Sequence, residues 1–139
     1  MTRILWLDLE MTGLDVTKEV SIEVAAIITD LSFNEVGDYH AIVKQPQRYL
    51  DNMDEWNKEH HGASGLTAKV PMGKDPKLVE TELCDLITEH FGKDPAVLAG
   101  NSISQDRQFI KKYFPELEKM LNYRMLDVTS WKLIFKHKY

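Results

Sequence analysis

Near its start the chain runs Ile4-Leu5-Trp6-Leu7-Asp8-Leu9-Glu10. A nearly continuous apolar run of this length is the pattern of a β-strand buried on both faces. Two acidic residues, Asp8 and Glu10, interrupt it at positions i and i+2. On a strand such residues share a face, with backbones about 6.7 Å apart. Ionised carboxylates set among Trp6, Leu7 and Leu9 are costly unless a cation neutralises them. Hard oxygen ligands of this kind suit Mg²⁺ or Mn²⁺. Two such ions, ~3.5–4 Å apart, can clamp both the attacking and the leaving oxygen of a phosphoryl displacement. A solvated strand end would hold the same pair with no chemistry at all, and Asp-x-Glu alone does not decide between the two.

Working outward, 12–15 reads as a turn, and residues 21–29 carry Ile22, Val24, Ala25, Ala26, Ile27 and Ile28, again β-like. Asn34-Glu35, between Phe33 and Val36, predicts a hairpin into a third strand over 39–44. Three strands with short links form an antiparallel meander. The second half changes character. A short polar helix is predicted over 51–60, with Met53 and Trp56 three apart. Val79, Leu83, Leu86, Ile87 and Phe91 recur at helical spacing, with Gly92 as the stop. Residues 96–99 read as a short buried strand ending in Gly100-Asn101-Ser102. Phe109, Ile110 and Tyr113 predict a helix closed before Pro115. A last strand is predicted over 125–128 and a helix from 130 to 135. Strands alternating with helices after a meander predict an α/β fold with a mixed sheet.

The chain has 139 residues and a mass of 16.1 kDa, the size of one domain. With 43% hydrophobic and 28% charged residues it is globular in composition, and neither disorder nor a collagen-like repeat describes it. Seventeen basic against 22 acidic residues give a net charge of −5. Such a balance disfavours non-specific binding of long nucleic acid, which rests on many Lys/Arg–phosphate contacts. A nucleic-acid enzyme stays open, because metal-binding carboxylates count as negative in this sum while their cations reverse the local field. Its substrate would be short. The lone cysteine, Cys84, allows no intramolecular disulfide. Residues 1–8 lack the apolar core of a signal peptide, and no apolar run approaches the ~18 residues of a membrane helix. The expectation is a soluble, cytoplasmic protein with one domain over 1–139 and no membrane association.

Asp106 follows the buried strand and the Gly-Asn-Ser turn, near a helix start. An acidic residue there is also favoured by the helix dipole alone. Asp127, at the end of another short strand, reads as structural. Adjacent residues rarely aim at one ion, so His60-His61 does not read as a zinc site. Lys44, Lys58 and Lys69 form no basic patch, and Leu14, Trp56 and Tyr123 read on their own as core or interface residues.

Five blocks, in order and in register, carry a resemblance: 6–14 (Trp-Leu-Asp-Leu-Glu-Met-Thr-Gly-Leu), 54–57 (Asp-Glu-Trp-Asn), 61–66 (His-Gly-Ala-Ser-Gly-Leu), 100–107 (Gly-Asn-Ser-Ile-Ser-Gln-Asp-Arg) and 123–128 (Tyr-Arg-Met-Leu-Asp-Val). The chain resembles the oligoribonucleases, 3′-to-5′ exoribonucleases of the DEDDh group. The resemblance implies a ribonuclease H-like fold, a mixed sheet flanked by helices. It implies very short RNA substrates, down to dinucleotides, a homodimer, and two divalent ions, Mg²⁺ or Mn²⁺. By the same analogy Asp8, Glu10 and Asp106 match three of four metal-binding, catalytic carboxylates. Leu14 matches a wedge between two bases and Trp56 an aromatic platform. Ser102, Arg124 and Thr129 match positions that cap a 5′ phosphate. His61 and Tyr123 match residues near that end, Tyr123 coming from the partner subunit.

The family's last motif, a catalytic histidine followed five positions later by an aspartate, has no counterpart within 1–139. His137 comes too early and has no aspartate after it. The expectation is an exonuclease domain shortened at its C-terminus, impaired in turnover as these 139 residues, with exposed apolar surface. Two alternatives stand beside it. One is a dinucleotide-binding or dimerisation module without cleavage. The other is a related exonuclease acting on DNA or on transfer-RNA ends.

Overall fold

The computed structural model describes residues 1–138. One mixed sheet carries five strands in the order β3–β2–β1–β4–β5. β1 (Arg3–Met11), β2 (Ser21–Asp30) and β3 (Glu35–Ile42) form the expected antiparallel meander. β4 (Ala96–Gly100) runs parallel to β1, and β5 (Leu121–Asp127) runs parallel to β4. Helices α1 (Gln47–Asp51), α2 (Glu55–Ala63) and α3 (Leu66–Lys69), then a 3₁₀ turn, lead into the long α4 (Pro76–Phe91). After β4 come α5 (Ile103–Tyr113) and α6 (Pro115–Glu118), and after β5 comes α7 (Val128–Lys138). Among the described residues no helix is long and apolar enough to cross a membrane.

The central strand is buried on one face, where both had been expected. Leu5, Leu7 and Leu9, with Val24, Ala26 and Ile28 of β2, pack under Val79, Leu83 and Ile87 of α4 and Phe109 and Ile110 of α5. The alternate residues Trp6, Asp8 and Glu10 point to the other face, where Ala25 and Ile27 of β2 are also exposed. The apolar run misleads because Trp6 supplies an amphipathic ring: it is half-buried, and its Nε1 donates to Thr29 Oγ1 at 2.9 Å.

Two predicted boundaries move for local reasons. The β2–β3 turn falls before Asn34, because the Asp30 carboxylate accepts from Ser32 N at 2.8 Å and from Asn34 N and Nδ2 at 3.0 Å each. β3 therefore starts at Glu35, earlier than the predicted 39. The helix predicted over 51–60 divides in two, because Asp54 caps α2 by accepting from Asn57 N at 2.8 Å. Met53, before the cap, is buried, and Trp56, after it, is 67% exposed. The α7 helix begins at Val128 and buries none of its residues, leaving Trp131, Leu133 and Ile134 exposed.

β4 approaches β1 so closely that its last residue has to be glycine. A Cβ on Gly100 would lie 2.7 Å from the Leu7 carbonyl oxygen, a backbone atom that cannot swing aside. Gly100→Ala is expected to destabilise the protein by about 1–3 kcal/mol through this overpacking. Chemical denaturation measures it, and a wild-type midpoint would contradict the reading.

Candidate active site

Where β1 outruns β4, three carboxylates, Asp8, Glu10 and Asp106, lie near enough for their charges to act on one another. β4 ends at Gly100 and turns into α5, so the Leu9 amide on that edge of β1 has no strand partner. Asp106, in the first turn of α5, takes it: Oδ1 accepts from Leu9 N at 2.9 Å. Leu9 lies between Asp8 and Glu10, and the buried Asp106 is thereby held beside both. Ser102, which opens the helix, sits at φ 47°, a left-handed conformation uncommon for a non-glycine residue. Its amide donates to Asp127 Oδ1 at 3.0 Å and to Thr129 Oγ1 at 2.8 Å. Asp127 also accepts from Thr129 N at 2.9 Å, and so has the structural role expected of it.

All three carboxyls are held above their ordinary pKa, chiefly by burial and then by one another's or Glu23's charge. Burial pushes Asp106 up to about 6, against the pull of its Leu9 hydrogen bond; the Asp8 and Glu10 charges add to the rise. Burial and then Glu23 raise Asp8. Burial and then Asp8 raise Glu10, while His61 and His60 pull it down. Across the β1–β2 register Glu10 stands directly opposite Glu23, a like-charge pair that costs stability without a cation. Glu23 in turn is paired with His40 Nε2 at 2.7 Å. A set of oxygen donors that repel one another fits a hard divalent ion such as Mg²⁺ or Mn²⁺. Asp8 also borders an open groove of about 310 Å³ whose lining includes Trp6, Ala25, Ile27 and Asn101.

Helix α2 brings a second group to the end of β1. His61 is buried, and its Nε2 donates to the Met11 carbonyl at 2.8 Å, so the proton is on Nε2. His60 is exposed and stacks on Trp56, with ring centroids 4.7 Å apart and an angle of 14°. Glu10, His60 and His61 each bring a possible ligand atom within 4.8 Å of the others. The two adjacent histidines therefore do come together with Glu10, against expectation, their rings edge to face with centroids 5.2 Å apart.

The remaining candidates fall into separate groups. Ser102 Oγ lies 3.1 Å from Thr129 Oγ1. Arg124 places its guanidinium 4.7 Å from the centre of the Tyr123 ring, and both residues are exposed on β5. Leu14, at the tip of the β1–β2 loop, is 73% exposed. Leu14, Trp56 and Tyr123 are thus outside the core of this chain. His61 lies against Glu10 and Met11, at the carboxylate end.

Sequence reasoning missed Glu23, His60 and Gln105. His60 follows Trp56 by four residues on a helix, a spacing at which rings meet, so that signal was present. Glu23 needed the strand register. Gln105, whose Nε2 donates to the Leu14 carbonyl at 2.5 Å, needed the packing of α5 against a loop 91 positions away.

With this geometry in hand, the comparisons with known proteins give one answer. The family model RNase T, described as exonuclease, matches residues 5–139. The chain belongs to this exonuclease family. It is 40% identical over 139 residues to the human mitochondrial oligoribonuclease, covering 99% of this chain and 59% of that protein's length. It is 47% identical over 135 residues to the oligoribonuclease of Marinobacter nauticus, covering 94% of this chain and 73% of that one. Among solved structures, the E. coli ExoI–ssDNA complex in its metal-free form aligns with a TM-score of 0.73 at 16% identity. That match covers 93% of this chain and 28% of the other, and it shows the fold, a mixed sheet flanked by helices, alone.

Proposed function

We propose that the protein is a 3′-to-5′ exoribonuclease that degrades very short RNA, down to dinucleotides, to mononucleotides. The observation that carries this reading is that Asp8 and Glu10 of the central strand and Asp106 of α5, which is tied to Leu9 between them, are mutually repelling carboxylates raised by burial. Residues 1–139 act as one exonuclease domain. Asp8, Glu10 and Asp106 would hold the divalent ions, Mg²⁺ or Mn²⁺, whose chemistry there would be activation of a water and stabilisation of the leaving 3′ oxygen. The chain's own part is to hold those ions and to place the RNA against them. Asp106 spends one oxygen on the Leu9 amide and keeps the other for a cation. His61, fixed by the Met11 carbonyl, stiffens the strand end that carries Glu10.

Substrate binding is assigned residue by residue. Trp56, with its ring backed by His60, offers a platform on which any base can stack. Leu14 inserts between the two bases. The hydroxyls of Ser102 and Thr129, with Arg124, receive the 5′ phosphate, and a capped phosphate leaves a longer chain nowhere to continue. Tyr123 reaches the site of a partner subunit in a homodimer; the exposed Trp131, Leu133 and Ile134 of α7 support such an assembly. A cytoplasmic location belongs to the same proposal, supported by the single cysteine.

The test of this substrate assignment is the kinetics of Trp56→Ala on a 5′-phosphorylated RNA dinucleotide. Loss of one stacked base, worth ~1–3 kcal/mol, raises KM about 5- to 150-fold. An unchanged KM would contradict it.

A further inference from the structure

The loop that carries Leu14, residues 12–19, holds a hydrogen-bonded turn closed on Asp15, but Leu14 lies before that turn and packs into no core. Something else must fix where that side chain stands. Three side chains of α5 reach across to the loop's backbone. Gln105 Nε2 donates to the Leu14 carbonyl at 2.5 Å. Lys112 Nζ donates to the carbonyls of Val16 at 2.8 Å and Thr17 at 3.2 Å. Tyr113 Oη donates to the Glu19 carbonyl at 2.6 Å. Gln105 and Lys112 are seven apart, two turns on one face of the helix, and so can follow an extended loop.

The neighbour of Gln105 is Asp106, which grips the Leu9 amide of β1 at 2.9 Å. Two adjacent residues on one helical turn therefore hold the two ends of the site: one the carboxylate strand, the other the loop tip. We infer that α5 sets the distance from the carboxylates to the base-contacting loop, and that Gln105 is the residue that positions Leu14. This rests on the role given to Leu14 above. Gln105 is a positioning residue: its amide is bonded to the Leu14 carbonyl, and it acts through the Leu14 backbone. Its amide is uncharged, so the grip does not change with pH.

The test is binding, with Ca²⁺ in place of the catalytic ion, of a 5′-phosphorylated RNA dinucleotide and of the corresponding mononucleotide. Gln105→Leu weakens the dinucleotide about tenfold, the size of one neutral hydrogen bond. The mononucleotide, which has no second base to be wedged, binds within about twofold of wild type, a difference that loss of a merely structural contact would not produce. Gln105→Glu keeps the shape, loses the donor and shows the same pattern if the leucine variant folds poorly. Leu14→Ala weakens the dinucleotide in the same way, and adding Gln105→Leu to it costs nothing more. Wild-type dinucleotide affinity in both Gln105 variants, or a loss that multiplies on top of Leu14→Ala, would overturn the inference about Gln105 and leave the wedge standing. Wild-type affinity in Leu14→Ala would overturn the wedge, and the inference with it.

Discussion

Asp106→Asn yields a protein that is more stable without metal and nearly inactive. Asparagine keeps the Oδ1 acceptor for the Leu9 amide, so the link between α5 and β1 survives. What it removes is a buried negative charge that Asp8 and Glu10 both repel. Near pH 8 the metal-free variant therefore melts several degrees above wild type, a gain of the kind seen when a functional site's strain is relieved. The same change removes an anionic ligand from the ion site. Turnover of a 5′-phosphorylated RNA dinucleotide falls on the order of a thousandfold or more. The two effects have opposite sign, which separates this account from one in which Asp106 merely starts a helix. Helix-start electrostatics alone would make the variant less stable, because a favourable charge at the helix N-terminus is lost. Thermal melts with chelator, beside initial rates, measure both.

The second large effect is a coupling of pH, metal and stability. Asp8, Glu10 and Asp106 all have raised pKa values in the folded protein. A raised carboxyl stabilises the fold fully below its unfolded pKa, near ~4, and loses that contribution as pH rises through the folded value. For Asp106 the folded value is about 6. Asp15, Asp30, Asp54 and Glu82 are shifted downward, so their losses fall below ~4, outside this window. The metal-free protein is therefore less stable near pH 8 than near pH 5. Protonated carboxyls bind divalent ions poorly, so saturating Mg²⁺ or Mn²⁺ raises Tm more near pH 8 than near pH 5. Equal shifts at the two pH values would contradict the assignment of these groups as ligands.

Much of this site was legible in the chain, and the limits are physical. Asp8 and Glu10 stand on one face because strand periodicity is local, and Asp106 was placed by a strand, a turn and a helix start within a dozen residues. The open face was not legible. Whether Trp6, Asp8 and Glu10 meet a helix or solvent depends on which side of the sheet α4 and α5 cover, and no residue of β1 records that. Glu23 comes opposite Glu10 only once the β1–β2 register is fixed. The β2–β3 turn was misplaced by the side chain of Asp30, whose hydrogen bonds outweigh the turn preference of Asn34-Glu35. His60 was readable four residues after Trp56, whereas Gln105 depends on a contact from α5 to a loop far away in sequence.

On the proposed function, Asp8, Glu10 and Asp106 hold divalent ions for hydrolysis of short RNA. Product formation from a 5′-phosphorylated RNA dinucleotide with Mn²⁺, beside an Asp8→Ala control, tests it most directly. The expected result is slow mononucleotide release by these 139 residues, none with chelator, and none by Asp8→Ala. An intact dinucleotide in the presence of bound Mn²⁺, or cleavage that persists in Asp8→Ala, would contradict it.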